Sequence, residues 1–158
     1  MQRTVSRERK NQAPLPEIKK IEVRHLTLED YLNMRDAMEE SYKFWHDSIW
    51  TEEEIQRLLE IFPEGQFVVS VNGKVVGTAL SIIVDYDKFG DDHTYQKITG
   101  DFKFTTHNIK GDTLYGIEVF IHPDYRGFRL ARRLYDARKE LVEKMNLKAI
   151  IFGGRIPN

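Results

Sequence analysis

The 158-residue sequence contains no cysteine, which excludes disulfide bonds, thiol catalysis and thiolate metal sites. Its five histidines are scattered and include no i, i+4 pair, so we expect no metal site. No apolar run approaches the ~20 residues that span a membrane, and the first twenty residues lack the apolar core of a secretory signal. These absences favour a soluble, cytoplasmic protein without a membrane partner.

The sequence also lacks an excess of either charge: 24 Lys and Arg stand against 25 Asp and Glu. Nucleic-acid-binding domains usually carry a strong basic excess, so no nucleic-acid partner is expected. What is present is 41% hydrophobic and 31% charged residues, which is typical of a globular domain with its own core. Residues 1–19 are polar and basic and are predicted to form a mobile tail, which leaves 20–158 as the domain.

Hydrophobic periodicity predicts the elements of the first half of this domain. Residues 21–25 alternate and indicate a strand. Capping-box sequences at 27–30 and 51–54 predict two helices, the second with Ile55, Leu58, Leu59 and Phe62 on one face. Asn72-Gly73 between apolar runs predicts a type I′ hairpin that joins strands 66–71 and 74–84.

The second half begins with a polar, glycine-punctuated stretch over residues 85–113, in which a short helix near 92–98 is favoured. A strand over 114–121, a helix over about 128–145 and a last strand over 147–152 follow. The predicted order is β-α-α-β-β-β-α-β, an α/β fold with a mixed sheet. The helical stripe that faces the core comprises Leu130, Leu134, Ala137, Leu141 and Met145.

The most informative stretch runs from Tyr115 through Pro123 to Ala131, because it joins a buried strand, a short turn and an Arg-Gly opening to a helix. Such a turn offers free backbone N–H groups and the positive end of a helix dipole, which suits a phosphate. The alternative is an ordinary turn with an exposed basic face made of Arg126, Arg129, Arg132, Arg133 and Arg138.

The six residues of this opening resemble the acetyl-CoA signature of the GNAT N-acetyltransferase superfamily, Arg/Gln-x-x-Gly-x-Gly/Ala. They are Arg126, Gly127, Phe128, Arg129, Leu130 and Ala131. The first and last match, whereas Arg129 stands where the family usually has glycine. The element order also matches that family from its first strand through its fifth.

A closer resemblance is to the GNAT-like domain found amino-terminal to carbon–nitrogen hydrolase (nitrilase-type) domains in some bacterial proteins. It rests on residues 115–127, on Arg129 and on the terminal residues 153–158. Family domains continue into another helix and two strands, and that helix usually supplies the Tyr that protonates the CoA thiolate. We therefore expect a carboxyl-terminally incomplete domain, whose sheet edge is completed by a second copy or by the missing part.

The resemblance implies a GNAT fold and acetyl-CoA as co-substrate, with direct acetyl transfer to a small-molecule or peptide amine in a ternary complex. Amides of residues 126–131 would bind the pyrophosphate. The backbone of Val119, Phe120 and Ile121 would pair with pantetheine, and one N–H would polarise the thioester carbonyl. In the family, the fourth and fifth strands splay apart to admit this cofactor.

Glu118 is an acid within an apolar strand and is the candidate catalytic base, on the face opposite Val119 and Ile121. Its alternative is a partnered structural carboxylate. The connector that contains Trp45, His46 and Trp50 is expected to border the acceptor pocket, unless its tryptophans simply close the core.

Arg155 is a candidate for holding an acceptor carboxylate, and its alternative is a flexible chain end. The alternative to an N-acetyltransferase is a non-catalytic acyl-CoA-sensing or peptide-binding module that serves an attached nitrilase-type domain. A third interpretation is a structural fragment that binds nothing until its sheet is completed.

Overall fold

The computed structural model describes residues 17–41, 50–88, 95–100 and 103–152. The predicted order of elements is confirmed, with one short helix between the third and fourth strands, where the sequence favoured one. The elements are β1 Ile21–His25, α1 Tyr31–Ser41, α2 Glu52–Ile61, β2 Phe67–Val71, β3 Lys74–Val84, α3 Tyr95–Ile98, β4 Thr113–Ile121, α4 Leu130–Lys144 and β5 Ala149–Phe152.

The five strands form one mixed sheet in the order β1-β2-β3-β4-β5. The first three pairings are antiparallel and β4 pairs with β5 in parallel, which confirms the predicted mixed α/β architecture. Asn72 and Gly73 have φ values of 53° and 87°, so the hairpin between β2 and β3 has the two positive φ angles of a type I′ turn.

Helices cover both faces of the sheet. We call the side that carries α1 and α2 the α1–α2 face; its core includes Met34, Met38, Ile55 and Leu58. The other side, the α4 face, buries Leu130, Leu134 and Leu141. Every residue of β2 is buried, as is every residue of β3 except Lys74, because both strands are covered on both faces.

The predicted capping boxes are present at both helix starts. Thr51 Oγ1 accepts a hydrogen bond from Glu54 N at 3.1 Å, and Glu54 Oε1 accepts one from Thr51 N at 3.0 Å. At the other box, Thr27 precedes a 3-10 turn that leads into α1. Phe62 departs from the prediction: it ends α2 at φ −153° and packs in the core of the α4 face, away from Ile55 and Leu58.

The amino-terminal boundary differs from the predicted tail over residues 1–19. Asn72 Oδ1 accepts hydrogen bonds from the N–H groups of Lys19 and Lys20, at 2.8 and 3.1 Å. Asn72 Nδ2 donates to the carbonyl of Glu17 at 2.7 Å. The hairpin turn thus holds residues 17–19, which the prediction assigned to the tail, while residues 1–16 lie outside the described part of the chain.

Candidate functional site

A β-bulge interrupts β4 in the middle of the predicted site. Leu80 pairs with Glu118 while its neighbour Ser81 pairs with Gly116, so Ile117 is the extra residue. Ile117 belongs to the core of the α1–α2 face, and the Glu118 side chain reaches Trp50 in that same core. The bulge therefore places two consecutive side chains on one face, and Val119 and Ile121 pack on the other, as the sequence predicted for Glu118.

The hydrogen-bond phase of β4 sets the direction of its amides. His122 N donates to Val76 O at 2.7 Å, which fixes the alternation of bonded and non-bonded pairs between β3 and β4. Two residues before His122, Phe120 and Thr78 therefore form a hydrogen-bonded pair. The next pair, Val119 with Ala79, is a non-hydrogen-bonded pair. The N–H of Val119 consequently points away from β3, toward the side on which β5 lies.

Within the described residues, the last pair between β4 and β5 is that of Gly116 with Phe152, because the described part of the chain stops at Phe152. The Val119 N–H lies three residues beyond this last pair. Whether β4 and β5 splay apart remains a prediction, because it concerns residues after Phe152.

Glu118 is buried, with 2% of its surface exposed, and its carboxylate has a defined partner. Trp50 Nε1 donates to Glu118 Oε1 at 3.0 Å. Trp50 is equally buried and its carbonyl accepts a hydrogen bond from the Tyr31 hydroxyl at 2.6 Å. The indole also packs against the Phe104 ring, with centroids 5.9 Å apart. The Trp50 partner is what the structural interpretation of Glu118 predicts, and the base interpretation remains a prediction.

The predicted acceptor-binding residues are only partly described. Trp50 lies in the core and faces Glu118 rather than solvent, which supports the alternative that it closes the core. Trp45, His46 and Arg155 lie outside the described residues. Their assignment to an acceptor pocket remains a prediction.

Arg138 is a residue of the site that the sequence interpretation missed. The alternative of an exposed basic face placed it in solvent, but only 2% of its surface is exposed. Its Nη2 donates to the carbonyls of Leu80 and Glu118, at 2.6 and 2.7 Å, on both strands of the bulge. Burial lowers the pKa of this guanidinium to about 10, against the opposing field of the Glu118 carboxylate, so it stays protonated at neutral pH.

A signal for this burial exists in the sequence. Arg138 follows Leu130 and Leu134 at intervals of eight and four residues, which places it on the apolar stripe of α4. Gly116 makes room for it: a Cβ at that position would lie 2.9 Å from Arg138 Nη1 and 2.9 Å from the Phe152 ring. The guanidinium carbon also lies 5.6 Å from the centre of the Phe152 ring.

Residues 126–132 lead from β4 into α4 and are called the anion loop, because residues 126–131 are predicted to bind the pyrophosphate. Residues 123–125 form a 3-10 turn, and Arg126 is in an extended conformation. Gly127 has a φ of 94°, and no heavy atom of the described residues lies within 4 Å of a Cβ built on it, so there is open space beside it in this part of the structure. Arg129 has a left-handed φ of 60° and precedes α4, which begins at Leu130, two residues later than predicted.

Six consecutive backbone amides in this loop have no hydrogen-bond acceptor among the described residues. Within the described part of the chain, the N–H groups of residues 127–132 donate no hydrogen bond, and the first that does so is Arg133 N to Arg129 O, at 3.3 Å. The 15-residue helix α4 adds the positive end of its dipole at the same point. This array of donors can hold an anion.

His122 stabilises the start of this turn. Its Nδ1 accepts a hydrogen bond from Asp124 N at 3.1 Å, and its ring meets Tyr125 edge-on at 5.8 Å. Burial lowers the pKa of His122 below its usual value, although the nearby Asp124 carboxylate opposes the shift. The imidazole is therefore neutral at pH 7 and keeps Nδ1 available as an acceptor.

Other concave or acidic features lie apart from the predicted residues. A cleft of about 480 Å³ lies between the β1–β2 edge and α4, and its walls include Arg24, Phe67 and Glu140. Asp85, Asp87 and Asp112 bring carboxylates within 4.8 Å of one another. Asp112 already accepts hydrogen bonds from Tyr86 N and Thr113 Oγ1.

Among the residues that the structure covers, no helix has the length and apolar character to cross a bilayer.

Comparison with curated proteins gives two relatives from Bacillus subtilis (strain 168). The chain is 41% identical over 140 residues to "Probable hydrolase YhcX", an alignment that covers 89% of this chain and 27% of YhcX. It is 28% identical over 137 residues to "Uncharacterized N-acetyltransferase YkwB", with 85% of this chain and 61% of YkwB covered. The chain thus spans about a quarter of the first relative's length and three fifths of the second's.

Among solved structures, the GphF GNAT-like decarboxylase in complex with isobutyryl-CoA matches with a TM-score of 0.58 and 15% identity. The match covers 73% of this chain and 55% of GphF, and it shows that the two share a fold. The family model described as "Acetyltransferase (GNAT) family" matches residues 32–158, which is most of the chain. The chain therefore belongs to the GNAT acetyltransferase family.

Proposed function

We propose that this domain binds acetyl-CoA and transfers its acetyl group directly to an amine. The observation that carries the proposal is the run of six amides over residues 127–132, at the start of α4, that donate to no acceptor in the described part of the chain. Members of this family bind acyl-CoA, and GphF was solved with isobutyryl-CoA. The pyrophosphate would accept hydrogen bonds from these amides, with the open space at Gly127 permitting close approach.

In this proposal, the edge of β4 receives the pantetheine arm. The backbone of Val119, Phe120 and Ile121 pairs with its amides, and the Val119 N–H points to the side where the thioester would lie. A backbone N–H aimed at the carbonyl oxygen stabilises the negative charge that develops when the amine attacks. The acetyl group then passes to the nitrogen and CoA leaves as a thiolate that takes up a proton.

Glu118 is the proposed base. An alkyl amine with a pKa near 10.4 is mostly protonated at pH 7 and must lose a proton to attack. The carboxylate, held by the Trp50 N–H at 3.0 Å, is on the α1–α2 face of β4, and Trp45 and His46 are the proposed acceptor-binding residues. We propose that Trp50 acts on the acceptor through its orientation of Glu118. Arg155 remains a candidate for an acceptor carboxylate.

A calorimetric titration with acetyl-CoA tests the binding step, with Gly127→Ala as the test variant. Gly127 and Gly73 have φ values of 94° and 87°, and a Cβ at either would meet no heavy atom within 4 Å. The two substitutions therefore strain the backbone alike, at about 1 kcal/mol. We expect Gly127→Ala to weaken acetyl-CoA binding about tenfold or more and Gly73→Ala to leave it unchanged. Equal affinity of both variants would contradict the proposed site.

The likeness to YhcX favours a second candidate. The chain matches about a quarter of a protein described as a probable hydrolase, and Arg129 occupies the position at which GNAT proteins usually have glycine. A module that senses acyl-CoA and serves an attached nitrilase-type domain would account for both. Binding of acetyl-CoA without acetylation of any amine in a thiol-release assay would favour this candidate over the transferase.

A further inference from the structure

Arg138 is a buried, charged residue that has no part in the reaction proposed above. Only 2% of its surface is exposed, and its Nε makes no hydrogen bond within the described residues. Burying a guanidinium is unfavourable unless strong hydrogen bonds compensate, and here they come from two backbone carbonyls at the β4 bulge. A neutral, well-packed side chain at this position would avoid that desolvation cost.

The carbonyl that Arg138 contacts belongs to the same peptide group as the Val119 N–H. Nη2 donates to Glu118 O at 2.7 Å. In a trans peptide, the C=O and N–H bonds point in opposite directions, so the Val119 N–H points away from the guanidinium. No cis peptide bond is present among the described residues. A cationic donor on the oxygen withdraws electron density from the peptide group and makes its N–H a stronger donor.

Helix α4 connects the anion loop to the bulge. Arg138 lies eight residues after Leu130, the first residue of α4, which corresponds to about 12 Å along the helix axis. One end of α4 thus presents the free amides and its middle holds the bulge. Gly116, which lacks a Cβ at the point where the guanidinium lies, completes this arrangement.

We propose that Arg138 is a positioning residue that orients and polarises the Val119 amide for the acyl thioester. This inference rests on the proposed function, because it assigns a role to the peptide that would face the thioester carbonyl. It predicts that loss of the cation weakens stabilisation of the developing negative charge while the anion loop keeps its hold on CoA.

The test uses acetyl-CoA labelled with ¹³C at the thioester carbonyl, together with three variants of the full 158-residue protein. Arg138→Met removes the cation and keeps an unbranched apolar side chain. Gly116→Ala keeps the cation but displaces it, since the new Cβ would lie 2.9 Å from Nη1. Lys139→Met is the matched control, because Lys139 is an exposed cation on the same helix. The readouts are the carbonyl stretching frequency of the bound thioester, the dissociation constant and kcat.

In the wild type, the bound carbonyl should absorb at lower frequency than free acetyl-CoA. Arg138→Met should return it toward the free value and lower kcat about tenfold, while the dissociation constant changes less than about threefold. Gly116→Ala should give an intermediate frequency, and Lys139→Met should match the wild type. If Arg138→Met does not fold, Gly116→Ala decides the question.

Two results would overturn the proposal, and they differ in meaning. Binding of acetyl-CoA with the same carbonyl frequency in the wild type, Arg138→Met and Gly116→Ala would overturn the role of Arg138 alone. Failure of the folded wild type to bind acetyl-CoA would overturn the proposed function and this inference with it.

Discussion

Glu118 has been assigned the most specific of the proposed chemical roles, and a single substitution separates that proposed role from a structural one. Glu118→Gln keeps an oxygen that can accept the Trp50 Nε1 hydrogen bond but removes the basicity of the carboxylate. We expect acetyl-CoA binding to persist and kcat for amine acetylation to fall about 100-fold or more. The rate of CoA thiol release at saturating acetyl-CoA measures this.

Trp50→Phe provides the comparison for that experiment. It removes the indole N–H that holds Glu118 and keeps an aromatic ring in the core beside Phe104. We expect a smaller loss of kcat than in Glu118→Gln, because the base remains although its orientation is looser. An unchanged rate in Glu118→Gln at pH 7 would show that the carboxylate is a structural group.

The left-handed backbone conformation of Arg129 leads to a prediction about stability. It has a φ of 60°, a conformation that costs a residue with a Cβ about 1 kcal/mol. Arg129→Gly should relieve this strain and raise the melting temperature by about 2–4 °C. The matched control is Arg132→Gly, which places glycine within the first turn of α4 and should lower stability by about 1 kcal/mol. A lower melting temperature for Arg129→Gly would mean that the Arg129 side chain itself stabilises the loop.

At the scale of elements, the loop that leads from α3 to β4 is attached to β3 by a neutral imidazole. Ile83 N donates to His107 Nδ1 at 3.0 Å, and the ring stacks on Phe62 with centroids 4.7 Å apart. Burial lowers the pKa of the His107 imidazole below the usual histidine value, with the Glu64 carboxylate opposing the shift. The unfolded chain, with an ordinary pKa, therefore takes up a proton at higher pH than the folded one.

Stabilisation from the neutral imidazoles of His107 and His122 is fully present above pH 6.5 and is lost as the pH falls below it. Urea midpoints should therefore decrease between pH 7.5 and pH 5.5. Asp30 does not interfere in this window: burial opposes ionisation, but hydrogen bonds from Arg24 and Thr27 lower its pKa below 3.8.

His107→Asn isolates the contribution of this loop. The Asn side-chain oxygen can replace Nδ1 as the acceptor for Ile83 N but does not titrate. We expect the variant to show a smaller decrease in the urea midpoint over the same pH range. A decrease as large as in the wild type would mean that His107 does not contribute to it.

The elements show why the sequence predicted most of the fold and less of the site. Capping boxes at Thr27 and Thr51, and the Asn72-Gly73 turn, act through neighbouring residues, so local sequence was sufficient. Arg138 depends on a tertiary contact with Leu80, 58 residues away, and on the space left by Gly116. The β4 bulge likewise arises from pairing between strands, which periodicity along one strand does not reveal.

At the scale of the whole molecule, helix α4 contributes to both parts of the proposed site. The amino end of α4 presents the free amides, its middle holds the bulge through Arg138, and its apolar stripe packs on the sheet. The α1–α2 face supplies Trp50 to the Glu118 carboxylate from the opposite side of the sheet. We therefore expect acetyl-CoA to make two separable contacts, with its pyrophosphate on α4 and its thioester on β4.

The most direct test is an amide chemical-shift titration of the ¹⁵N-labelled chain with acetyl-CoA and, separately, with acetyl-pantetheine, which lacks the pyrophosphate. We predict that acetyl-CoA shifts the amides of both Gly127–Arg132 and Val119–Ile121, and that acetyl-pantetheine shifts only those of Val119–Ile121. Acetyl-CoA that leaves the amides of Gly127–Arg132 unshifted, at concentrations that shift other amides, would contradict the proposed pyrophosphate site.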